Sequence, residues 1–185
     1  MESKKYILII FILTIIVFCK NDYKNKRKEW ALQFRGKIQS NFVGFPSIEN
    51  LVKNFLLDMI NNKNVDKYFL TDKEYLTIYW ANQPWEKIYD KGLTIENVLY
   101  LYHLYQNKNL NLTKSYILKQ NNFNLINADK IVIQIKKQEP LQNNQLIYFD
   151  SIIIISNSSK KIYPLKGLII QHNQQYKLIQ IKPEN

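Results

Sequence analysis

Thirteen uncharged residues, Tyr6 to Phe18, mostly Ile, Leu and Phe, run unbroken behind Lys4 and Lys5. A short positive start followed by an apolar run is the layout of a secretory leader. As a helix the run reaches about 20 Å at ~1.5 Å per residue, short of a ~30 Å hydrocarbon core, so a leader is a better reading than a spanning helix. Beyond Pro46 the apolar positions take up a helical rhythm. Ile48, Leu51, Val52, Phe55, Leu56, Met59 and Ile60 recur at intervals of three and four, which predicts an amphipathic helix capped by Ser47 and stopped at Asn61 and Asn62. Thr71 and Glu74 have the spacing of a capping box ahead of Tyr75, Ile78 and Tyr79, and this second helix breaks before Pro84. A third helix is expected from Thr94 to about Gln106, turning Ile95, Val98, Leu99, Tyr102 and Tyr105 inward.

After Asn109 the residues favour strands. Ser115 to Lys119, Ile131 to Lys137, Leu146 to Ser156, Leu165 to Gln171 and Tyr176 to Lys182 are rich in Ile, Leu and Tyr. Ile131, Ile133 and Ile135 alternate with Gln134 and Lys136, so one face of that strand belongs to a core and the other to water. Turns are expected at Asn143 and Asn144, at Asn157 to Lys160, and at Asn173 and Gln174. Helices first and strands second predict an α+β fold, with the N-terminal helices packed on one face of an antiparallel sheet of four to five strands. The organisation follows: residues 1–19 as leader or anchor, 20–45 as a basic tether, 46–185 as a single domain.

Charge sharpens the picture at the N-terminus. Residues 20–37 hold seven Lys or Arg against Asp22 and Glu29, and a similar surplus is spread thinly over residues 38–185, which together account for most of the net +11. The domain itself is therefore only mildly basic, and nucleic-acid binding, which needs a clustered stripe, is not expected. Trp30, Phe34 and Ile38 recur at helical spacing among the basic residues; they suit either a helix lying on an anionic membrane or, more simply, a solvated tether. Cys19 is the single cysteine, so an intramolecular disulfide and a cysteine zinc cluster are excluded. Its place at the end of the apolar run resembles a bacterial lipoprotein signal, in which the cysteine becomes the first mature residue and is acylated, although Phe18 stands where that pattern wants Gly, Ala or Ser. The excess of positive charge after the run also allows an uncleaved anchor with a cytoplasmic domain.

Chemistry is sparse along the chain. His103 and His172 lack an orienting partner in sequence, and with no spaced acidic cluster there is no zinc ligand set. Four glycines exclude the familiar phosphate-cradling loops, so no cofactor is expected. Asp150 is the one catalytic candidate, because it interrupts a strand of strongly apolar neighbours. In a concave pocket, desolvation would make it a base; on an outward face it would be a charge that discourages edge pairing. Tyrosine, at thirteen residues, supplies material for a binding surface as well as for a core.

The order of helix, capped helix from Thr71, break at Pro84, third helix and then strands ending at Lys182 resembles uncharacterised exported bacterial proteins with a fold like that of nuclear transport factor two. It rests on that order and on the stretch Thr71, Glu74, Tyr75. The resemblance implies a curved sheet enclosing a concave pocket. The function expected is that of an envelope-tethered lipoprotein that binds a small molecule or a protein without catalysis. The alternatives are a small-pocket enzyme using Asp150 and an inner-membrane-anchored protein.

Overall fold

The computed structural model describes residues 25–26, 28–35, 42–84, 94–120, 128–156 and 159–184; the leader and Cys19 lie outside them. A first helix, α1, covers residues 28–34. Ala31 is fully buried, and Trp30 and Phe34 pack beside it against the domain. Of Trp30, Phe34 and Ile38, expected on a tether or a membrane surface, the first two are thus turned inward and Ile38 lies outside the described residues; packing against the domain begins upstream of Pro46. Burial of this face, with the Arg35 guanidinium donating to Ala81 O at 2.7 Å and Gln83 O at 2.9 Å, outweighs the solvation of the surrounding charges.

The second helix, α2 (Ile48–Ile60), has the predicted boundaries. The Ser47 hydroxyl accepts from the Asn50 N–H at 3.1 Å, Asn61 Nδ2 donates to Leu57 O, and Asn62 takes φ 54°, the left-handed turn that closes helices. The third, α3, covers residues 72–82 and changes pitch along its length. One regular turn (Asp72–Glu74) widens into a π segment (Tyr75–Tyr79) and then tightens (Trp80–Asn82). Asn82 Nδ2 donates to Thr77 O and Ile78 O, carbonyls released by that change of pitch. Gln83 is extended ahead of Pro84, as expected.

The fourth helix, α4 (Ile95–Leu118), is twice the predicted length. Asn107, Asn109 and Asn111 weigh against a helix locally, and Ser115 to Lys119 has strand composition, yet that stretch forms the last helical turn. Packing decides it: Ile117 is buried in the core, and the Thr113 hydroxyl donates to Ile181 O at 3.1 Å, tying the helix to the last strand. Among the described residues no helix is long and apolar enough to span a bilayer.

Five antiparallel strands follow: β1 (Lys130–Leu141), β2 (Asn144–Ser156), β3 (Ser159–Tyr163), β4 (Leu165–His172) and β5 (Gln175–Pro183). The sheet order is β1-β2-β4-β5. The short β3, unpredicted because Asn157 to Lys160 read as a turn, pairs with the far half of β2. β3 and β4 form one interrupted run along β2, broken at Pro164, which has no N–H to give a ladder. Asn173 and Gln174 make the β4–β5 turn with φ of 49° and 60°, the paired positive values of a tight hairpin.

Apolar residues fill both faces of the sheet. Ile147, Phe149, Ile169 and Leu178 join the α2 side chains in one cluster; Leu146, Leu168, Ile170 and Ile179 join α1, α3 and the first half of α4 in another. Because neighbours along a strand point to opposite sides, these clusters are the two faces of one sheet. The expected helical layer is present, and a second layer covers part of the other face. The β5 edge is capped along its length by Phe45 at Tyr176, Phe69 at Leu178 and Thr113 at Ile181.

Candidate functional site

The second face carries a cavity of about 370 Å³ between α3, α4 and the sheet. Its walls are tyrosines. Tyr75 and Tyr79 come from the π segment with rings 5.3 Å apart, and Tyr102 and Tyr105 come from α4. Tyr75 and Tyr102 stack at 4.0 Å with an interplanar angle of 17°, and the Tyr102 hydroxyl donates to Leu70 O at 2.9 Å. Leu168, Ile179 and Gln180 form the floor. A bulge places Ile179 and Gln180 together there: Ile169 pairs with Leu178 and Leu168 with Gln180, leaving Ile179 as the extra residue. Burial raises the phenols of Tyr75, Tyr79 and Tyr102, with Tyr79 and Tyr75 adding to the effect at Tyr75 and Tyr102 respectively, so these hydroxyls stay protonated in neutral solution. The walls offer flat apolar surface and neutral hydrogen-bonding groups, which suits an uncharged ring or chain.

A shallower hollow of about 220 Å³ adjoins the cavity at Gln180. Lys136, Lys137, Lys166 and Lys182 line it, with Tyr148 and Asp150. Lys137 lies 4.4 Å from the Tyr148 ring centre and bonds to Glu139 at 2.7 Å; Lys166 bonds to Glu184 at 2.6 Å. Asp150 thus lines an open hollow shared with four lysines as well as Tyr148 and Phe149, not the apolar pocket its sequence position suggested. Gln134 pairs with Ser151 and Ile135 with Phe149, so Asp150 occupies a bulge with no β1 partner. Its carboxylate accepts a long 3.5 Å bond from Ser151 Oγ.

The histidines are apart from the cavity chemistry. His103 is exposed on α4 and meets Asp72 at 2.7 Å. His172 is buried at the end of β4: its Nδ1 lies 2.6 Å from Asn144 Oδ1, its Nε2 3.2 Å from Asn173 Nδ2, and Phe42 meets its ring edge to face. Burial lowers its pKa, so the neutral ring pins the two hairpin turns together. Among the described residues no group of three His, Cys, Asp or Glu is placed to hold a metal.

Helical spacing marked Tyr75, Tyr79 and Tyr102 as inward, and also Tyr105, which the structure leaves exposed at the cavity mouth; their convergence depends on the π segment and the β5 bulge, which spacing does not show. The buried pair of Glu74 and Lys177, with Nζ 2.9 Å and 2.8 Å from the two carboxylate oxygens, has no local signal either. Glu74 reads as a capping residue, and it is one: Oε2 accepts from the Thr71 N–H at 2.8 Å.

Against known proteins, no family model matches this chain and no curated protein does. One solved structure, a designed chain of the nuclear-transport-factor-two type named Rd1NTF2_05 with five substitutions, is similar at 19% identity and a TM-score of 0.24. That match spans 31% of this chain and half of the other. So slight and partial a likeness carries no argument about what the cavity binds.

Proposed function

We propose that this chain is an envelope-tethered binding protein, anchored through its leader and an acylated Cys19, whose domain takes a small apolar or aromatic ligand between its tyrosines and releases it unchanged. The observation that carries the reading is the cavity walled by Tyr75, Tyr79, Tyr102 and Tyr105, with protonated hydroxyls at Tyr75, Tyr79 and Tyr102. Its volume lies at the small end of the roughly 300–1,000 Å³ typical of small-molecule sites. A polar base aimed into it is not among its lining residues, whereas ring stacking and neutral donors are abundant, which favours recognition over proton transfer. Helices ahead of a bulged antiparallel sheet with a pocket on one face also support a cone of the nuclear-transport-factor-two type.

The test is titration calorimetry of the full-length chain with naphthalene methanol, an uncharged aromatic probe. Saturable one-site binding is expected. Tyr105 is exposed at the cavity mouth, so Tyr105→Ala should keep the fold and weaken the probe by about threefold to tenfold, the worth of one aromatic contact. Absence of saturable binding by the wild type, or an unchanged affinity in Tyr105→Ala, sinks the reading.

A further inference from the structure

The strand register lays out the second face as a series of rows. Leu146, Ile170 and Lys177 form one row, Lys177 being neutralised by Glu74 under α3. The next is Lys137, Tyr148, Leu168 and Gln180, whose β4 and β5 members floor the tyrosine cavity. Two residues further along the strands, about 7 Å at ~3.4 Å per residue, Lys166 stands directly opposite Lys182. Like charges at a cross-strand pair are destabilising. Lys136 joins them because the β1 register shift leaves it without a partner across β2. The carboxylates nearby do not cancel this surplus: Glu184 holds Lys166 and Glu139 holds Lys137, while Lys136 and Lys182 have no ion-pair partner among the described residues. One open hollow is therefore lined by four ammonium groups and the Asp150 carboxylate, with Lys137 and Lys166 already paired to Glu139 and Glu184 and Lys136 and Lys182 supplying the remaining positive charge. It adjoins an apolar cavity at the shared residue Gln180.

We propose that this lysine-lined hollow is an anion subsite of the tyrosine cavity, so that the ligand is an amphipathic organic anion: its apolar body lies among the tyrosines and its carboxylate, sulfonate or phosphate head meets Lys136, Lys166 and Lys182. This rests on the reading of the cavity as a ligand site and adds the charge of the ligand to it. Gln180 is placed at the junction, where its amide can donate to the head group. The two subsites make separable contributions, because the cavity recognises area while the hollow recognises charge.

The experiment compares two probes with one apolar body, naphthalene sulfonate and naphthalene methanol, on the full-length chain and on Lys166→Gln/Lys182→Gln. These lysines are at least partly exposed, so the double variant should fold, and its melting temperature checks that. The sulfonate is expected to bind the wild type about tenfold more tightly than the alcohol at low ionic strength, as charge-assisted hydrogen bonds imply. In the double variant that preference should vanish with the alcohol unaffected, and added salt should shrink it in the wild type. Equal affinities for the two probes, or a preference that survives the double substitution, overturn the anion subsite and leave the cavity reading standing. If neither probe binds the wild type, the cavity reading falls and the subsite with it.

Discussion

Glu74 closes the capping box of α3 and at the same time neutralises Lys177 on β5, so one carboxylate fixes the start of the helix that supplies Tyr75 and Tyr79. Both charged side chains are more than nine-tenths buried, and Lys177 also lies 5.2 Å from the Phe42 ring. A buried pair of this kind is dangerous to halve. Lys177→Met leaves the carboxylate buried and uncompensated, and should destabilise the domain by about 3–5 kcal/mol in urea unfolding. Glu74→Gln combined with Lys177→Met removes the stranded charge and should recover more than half of that loss. If the double variant is as unstable as the single one, the pair does not act as a unit. None of this was legible in the sequence, because Glu74 and Lys177 are 103 residues apart and only the sheet register brings them together. The Thr71–Glu74 spacing was legible for the opposite reason: a capping box is a local arrangement within four residues.

Element boundaries follow the same division between local and distant causes. α2 begins and ends where Ser47, Asn61 and Asn62 place it, since caps act within one turn. α4 overruns its predicted end by twelve residues, because the apolar contacts of Ile117 and the Thr113 bond to β5 override three asparagines. In the sheet the inward alternation of Ile131 and Ile133 and the turn at Asn173 were readable, whereas the exposure of Ile135, which the alternation had placed in the core, and the bulges at Asp150 and Ile179 were not, as each depends on counting residues in a partner strand. Gly167 shows how tightly that register is set. It pairs with Phe149, whose ring lies over it, and a Cβ there would overlap the ring atoms. Phe149 is itself fully buried and cannot swing away cheaply. Gly167→Ala should therefore destabilise by about 1–3 kcal/mol, the usual cost of overpacking, with a lower melting temperature. A change within about 0.5 kcal/mol would mean that β2 and β4 can separate without loss, and the placement of Lys166 and Leu168 on either side of Gly167 would need another cause.

At the scale of the whole molecule, docking of α1 onto the domain leaves few residues between the packed domain and Cys19, the proposed point of attachment. Residues 25 and 26 are already helical, so residues 20–24 alone lie between Cys19 and the first described helical turn, and five residues span at most about 18 Å at ~3.6 Å each. A lipid on Cys19 would thus hold the domain within a few nanometres of the bilayer, with Lys20, Lys24, Lys26 and Arg27 in between. Each such residue near an anionic surface is worth about 1 kcal/mol and is screened by salt, whereas an acyl chain contributes about 0.8 kcal/mol per buried CH₂ and is not. The two anchors therefore respond differently. With a radiolabelled fatty acid, the wild-type chain should take up label, lose the residues ahead of Cys19, and stay with membranes through a high-salt wash. Cys19→Ala should carry no label and keep its full length, since the residue that accepts the lipid and defines the cleavage point is gone. Unlabelled wild type of full mass that salt strips from the membrane would assign attachment to the basic stretch alone and rule out acylation.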